Sequence, residues 1–127
     1  MSDIPENLHY TAEHEWIRFE GDEYVVGITD YAQDALTDVV WVELPEVGAA
    51  YTLMEAFASV ESVKSVSEIF APIAGTITAV NEILEDQPEL VNTSPTKEGW
   101  IARFKISGEV DKTSLLDAVG YASVIGE

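Results

Sequence analysis

Ser59-Val60-Glu61-Ser62-Val63-Lys64-Ser65-Val66-Ser67-Glu68-Ile69-Phe70-Ala71-Pro72 is the stretch that orders the rest of the chain. Apolar residues lead in from Ala56 and out to Phe70, and small polar residues cluster at the centre. Alternation on both flanks predicts a β-hairpin over about residues 56–70, its register set by the buried faces. Val63 and Lys64 fall at or near its turn, although no Gly or Asn marks the turn type. Residues 1–63 carry 14 acids and 1 base, Arg18, and the next base after Lys64 is Lys97. On charge statistics alone, chance survival of one surface lysine is the simpler explanation. An amine on such a tip lacks the desolvating or cationic neighbours that would make it a nucleophile. Chemistry at Lys64 would therefore be that of an attachment point served by another enzyme. Such a point needs exposure, a rigid base and a free side chain, all of which a hairpin tip supplies.

The chain around this hairpin has 127 residues, 46% of them hydrophobic, with mean hydropathy +0.05. That suffices for one domain, residues 1–127, with its own core, and it excludes disorder as a reading. Asp and Glu number 24 against 6 Lys and Arg, a net charge of −18. Such acidity argues against nucleic acid, whose phosphates require Lys and Arg, and against an anionic membrane surface. It favours a partner with a basic face. The absence of cysteine removes disulfides, thiol nucleophiles and thiolate metal sites. No apolar run approaches the length of a membrane span, and the start Met1-Ser2-Asp3-Ile4-Pro5-Glu6 has no leader pattern. A soluble, cytoplasmic, bacterial-like monomer is expected; a mature chain from the mitochondrial matrix would look the same.

Short strands are predicted along most of the sequence. Glu15 to Phe19 and Tyr24 to Ile28 flank a turn at Gly21-Asp22-Glu23, and Val39 to Leu44 forms another strand. Further strands fall at Gly75–Val80 and Trp100–Ile106. Asp30 and Gln33 read as the N-cap pair of a short helix. Pro88 opens a single helical turn, and Leu115, Leu116, Val119 and Ala122 suggest a C-terminal helical segment over about 109–125, with Gly120 as a break. Pro45-Glu46-Val47-Gly48 and Pro72-Ile73-Ala74-Gly75 repeat a Pro-x-x-Gly turn on either side of the hairpin. Together these predict a mainly β domain, a small sandwich or partly closed barrel with helical appendages, arranged as a pseudo-twofold sandwich with the hairpin protruding at one end.

Taken with Glu61-Ser62-Val63-Lys64, several other segments form an ordered set along the chain. They are His14-Glu15-Trp16, Gly27-Ile28-Thr29-Asp30-Tyr31-Ala32-Gln33-Asp34, Val42-Glu43-Leu44-Pro45-Glu46-Val47-Gly48, Ala71-Pro72-Ile73-Ala74-Gly75 and Gly99-Trp100. In this ordered set the chain resembles the glycine cleavage H proteins, lipoyl carriers of the biotinyl/lipoyl-attachment family, from about Tyr10 to the last helix. The resemblance implies a barrel-sandwich hybrid of two small antiparallel sheets, with short helices and a C-terminal helix. It implies lipoate amide-linked to Lys64, which shuttles an aminomethyl group from a pyridoxal-phosphate glycine decarboxylase to a tetrahydrofolate-dependent aminomethyltransferase. Dihydrolipoyl dehydrogenase would then reoxidise the dithiol. The chain would be a covalently modified carrier with no catalytic residues of its own. Glu15 and Glu68 match positions near the docked arm, and Glu61 matches a determinant for the lipoate ligase or lipoyl/octanoyl transferase. Some relatives carry His where this chain has Ala35, so that imidazole is absent here.

Other readings compete. A biotin carrier shares the tip lysine, but such hairpins usually place Met on both sides, whereas Val63 and Ser65 stand here. An H-like lipoyl relay supplying 2-oxo-acid dehydrogenases keeps the cofactor and changes the task, and an interaction module would leave Lys64 unmodified. His9 and His14, beside Glu13 and Glu15, give weak support for a metal, and none is expected. Trp16, Trp41 and Trp100 are expected as core anchors.

Overall fold

In the computed structural model, which describes residues 3–108 and 115–126, two antiparallel sheets face each other across the core. The strands are β1 (His9–Tyr10), β2 (Glu15–Glu20), β3 (Glu23–Ile28), β4 (Val39–Glu43), β5 (Ala50–Tyr51), β6 (Ala56–Ser62), β7 (Val66–Phe70), β8 (Gly75–Val80) and β9 (Ala102–Ile106). The larger sheet has the order β1-β2-β3-β9-β8-β5 and the smaller one β4-β6-β7. Helices α1 (Asp30–Leu36) and α2 (Leu90–Thr93) and a 3-10 turn at Glu82–Glu85 fill connections between strands, and α3 (Ala118–Val124) follows the last strand. Among the described residues no helix is long and apolar enough to cross a membrane.

Strands β2 and β3 are buried on both faces, and this decides what packs where. Ile17, Tyr24, Val26 and Ile28 join the core between the sheets, with Val60 and Ile69 from the hairpin. On the opposite face Trp16 and Val25 form a second cluster with Leu8, Tyr10 and Tyr121. Trp16 lies opposite Gly27 in register. A Cβ at Gly27 would lie 2.7–2.8 Å from the buried indole, so the glycine is there to seat the ring. The indole N–H also donates to the Pro95 carbonyl at 2.9 Å. Trp16 is thus a core anchor as expected, and Trp100 is partly buried against the same cluster.

Several local expectations are corrected. The cap of α1 is Thr29, whose hydroxyl accepts from the Ala32 N–H at 3.2 Å; Asp30 is already helical and receives the Gln33 side chain instead. Gly120 does not break α3. It lies in the first turn, where its N–H donates to the Asp117 cap at 2.7 Å. Leu115 and Leu116 precede the helix, and Leu116 bridges to Tyr10. The expected segment 109–125 begins outside the described residues, and Pro88 stands ahead of α2 rather than opening it. The segment after the first Pro-x-x-Gly turn does meet the end of the second: Ala50 pairs with Thr76 and Tyr51 with Gly75. That twofold is local, since the sheets carry six and three strands.

Gly27→Ala is expected to destabilise the protein by about 1–3 kcal/mol, the usual cost of overpacking a buried site. Urea unfolding followed by tryptophan fluorescence checks this.

Candidate functional site

The hairpin turn is Val63-Lys64-Ser65, and Ser62 holds it. Its N–H donates to the Ser65 carbonyl at 2.8 Å, and its hydroxyl donates to the same carbonyl at 3.1 Å. The hydroxyl oxygen also accepts from the backbone N–H groups of Lys64 (3.2 Å) and Ser65 (3.0 Å). A buried serine side chain therefore does the work that Gly or Asn does in tighter turns. A further bond from the Val63 N–H to the Asp38 carbonyl, 3.1 Å, ties the tip to the entry of β4. Asn92 fixes that entry from the other side. Its amide oxygen accepts from Val39 N–H, while its NH2 group donates to the Thr37 carbonyl and the Gln33 side chain. Turn, helix end and strand start are one hydrogen-bonded unit.

Lys64 is exposed, and its Nζ rests 3.4 Å from the Ala35 carbonyl oxygen in the last turn of α1. A cation suits that end of a helix. Ala35 also lines a cleft of about 340 Å³ between α1 and the edge of β7, with Tyr31, Ala32, His14, Glu15, Ser67 and Glu68 among its walls. The lysine side chain thus leads from the tip to the mouth of this cleft.

Glu15 and Glu68 come together in the cleft, in very different settings. Glu15 shares a strand face with Ile17, pointing between the sheets, and is 2% exposed. Its carboxylate accepts from the Thr11 hydroxyl at 2.8 Å and the Phe70 N–H at 3.2 Å. Burial pushes this carboxyl above its ordinary value; the two hydrogen bonds oppose the shift and the charge of Glu13 adds to it. Glu68 is exposed on the rim. Glu61 is elsewhere: it lies on the outer face of the small sheet, opposite Trp41 on one side and Val66 on the other. Trp41 is no core anchor, for it is 50% exposed. A bulge between Val39 and Trp41 turns it outward.

Among the described residues no group of three or more potential metal ligands occurs. His9 instead packs edge-on against Phe19. His14 has φ of 71°, and its Nδ1 lies 2.8 Å from the Tyr121 hydroxyl, which lies 2.6 Å from the Thr29 hydroxyl. The imidazole wall of the cleft is thereby linked to α3 and to the cap of α1. Burial lowers its pKa, with Glu13 opposing.

Fold and site define a small two-sheet domain that displays one lysine on a braced hairpin beside a cleft containing carboxylates. Residues 8–127 match the family model described as glycine cleavage H-protein. A glycine cleavage system H protein of Mycobacterium avium is 55% identical over the full length of both chains. One from a Marinomonas species is 54% identical, covering 98% of this chain and 99% of that one. The crystal structure of a glycine cleavage system H protein from Mycobacterium marinum superposes with a TM-score of 0.89 at 39% identity, covering 98% of this chain and all of the other. The chain belongs to the glycine cleavage H-protein family.

Ser62→Ala removes the acceptor for two turn amides, a loss of about 1 kcal/mol. Hydrogen exchange at the Lys64 and Ser65 amides should accordingly quicken roughly five-fold. His14 makes stability depend on pH. Because its folded pKa lies below the ordinary value of about 6.5, the unfolded chain takes up the proton first as pH falls. Its contribution to stability is present above that ordinary value and is lost as pH drops through the lowered one. Thermal unfolding of wild type should therefore fall more steeply on acidification than that of His14→Gln.

Proposed function

We propose that this chain is the lipoyl-bearing shuttle of a glycine cleavage system, a carrier on which other enzymes act, with lipoate amide-linked to Lys64. The observation that carries the reading is the position of the Lys64 amine, exposed on a braced tip and 3.4 Å from a carbonyl at the mouth of the cleft. The group fits these residues, since an arm extended from Nζ starts beside a partly apolar trough walled by Tyr31, Ala32, Leu36 and Ile69. When attached, lipoate supplies a dithiolane that can be reductively loaded with an aminomethyl group and later reoxidised.

What the chain itself does is position and protect. Ser62 fixes the lysine backbone, so the arm leaves from one point in one direction. The cleft walls limit water around a docked arm. Glu15 and Glu68 offer carboxylates to an ammonium group, the buried one carrying the greater weight because its surroundings screen it least. Ionised Glu15 gains from a bound cation what burial took away. Glu61, on the outer sheet face, serves recognition by the lipoate ligase or lipoyl/octanoyl transferase. The working partners are then glycine decarboxylase, aminomethyltransferase and dihydrolipoyl dehydrogenase, reached in the cytoplasm of a bacterial cell. The net charge of −18 steers them.

Intact mass of protein expressed with lipoate should show one lipoyl-sized increment, absent from Lys64→Ala. A biotin-sized increment, or an unmodified chain in a lipoylating host, would overturn the reading. With the loaded arm, Glu15→Gln should shorten the lifetime of the cargo about tenfold, consistent with loss of a charge-assisted hydrogen bond. Time-resolved release of ammonia without the transferase measures this, and an unchanged lifetime would remove Glu15 from the clamp.

A further inference from the structure

The outer face of the small sheet carries an apolar surface that neither the core nor the cleft uses. Trp41, Glu61 and Val66 lie in one cross-strand row over β4, β6 and β7. Val40 is the extra residue of the bulge, so two adjacent large side chains both face outward there. Trp41 is 50% exposed, Val66 61% and Val63, next to the lysine, 71%. Acids border this surface: Asp38 at the entry to β4, Glu43 at its end, and Glu61 within the row, all exposed. Arg18, Arg103 and Lys105 lie elsewhere, on the large sheet, paired with Glu20, Glu23 and Asp22.

We infer that this face, centred on Trp41, is the docking surface for the enzyme that acylates Lys64, and that this enzyme presents an apolar recess rimmed by basic side chains. The inference rests on the carrier reading above. Reach selects this occupant. An acylating enzyme must bring its acyl donor to Nζ itself, within one lysine side chain of the tip, so its footprint must cover the residues flanking the turn. Enzymes acting on the far end of an attached arm stand off by the length of that arm. Charge complementarity sets the rim, and a central tryptophan inside a polar border is the usual composition of an interface anchor.

The test is steady-state acylation of unmodified protein by purified lipoate ligase with lipoate and ATP. Trp41→Ala should raise the KM for the protein about tenfold or more, the effect of losing an interface anchor, with kcat within twofold. Val40→Ser and Val66→Ser should raise it less, which keeps the test open if the tryptophan variant unfolds. Val119→Ala, at an exposed position on α3, should leave KM unchanged. Wild-type KM retained in all three surface variants would overturn the inference. So would an equal rise in KM with dihydrolipoyl dehydrogenase after the variants are fully lipoylated, which would make the face a general docking site. Wild type that is never acylated would instead sink the carrier reading, so the two failures are distinct.

Discussion

Strand β3 has no face that can meet water, and most of the molecule is arranged to cover it. Tyr24, Val26 and Ile28 require the small sheet on one side; Val25, with Trp16 seated over Gly27, requires the C-terminal elements on the other. Burying apolar surface contributes roughly 25 cal/mol per Å², so both coverings are driven by the same term. The site inherits its walls from this arrangement. Glu15 shares the inward face with Ile17 and is desolvated for that reason. Tyr121 reaches His14 because α3 is held against Trp16 and Tyr10.

Electrostatics divides the molecule in a complementary way. Arg18 and Arg103 converge on Glu20, with Arg103 also bonding Glu23, so positive charge on the large sheet is locally compensated. Around the hairpin the acids face solvent, and Lys64 rests on a backbone carbonyl rather than a carboxylate. Lys64 thus stands in a negative field at this end of the molecule.

Much of this could be read from residues in order. The hairpin, the flanking strands and the single lysine follow from alternation and charge, because side chains on a half-buried strand record its two faces. The cap of α1 was misplaced by one residue, since Thr29 and Asp30 are both good caps and the backbone decides between them. Trp41 departs from the buried position its sequence predicts for a different reason. Val39-Val40-Trp41-Val42 is an unbroken apolar run, which periodicity reads as buried throughout, and a bulge leaves no compositional mark. Asn92 has no local signature as an organiser because its partners, Gln33, Thr37 and Val39, lie more than fifty positions away. The Ser62 side chain bonds within its own turn, but serine is common in such polar stretches and does not announce a turn type. The pairing of His14 with Tyr121 spans 107 positions and has no local signature.

The same bulge bears on whether one molecule can add a strand to another. β4 is an edge of the small sheet, and four consecutive apolar residues on an edge form a template onto which another chain could add a strand. The irregularity at Val40 spoils the repeat such a newcomer would need, and the side chain of Asn92 already occupies the Val39 N–H. An adhesive surface made of side chains is thus kept on a strand whose backbone is a poor seed for fibrils.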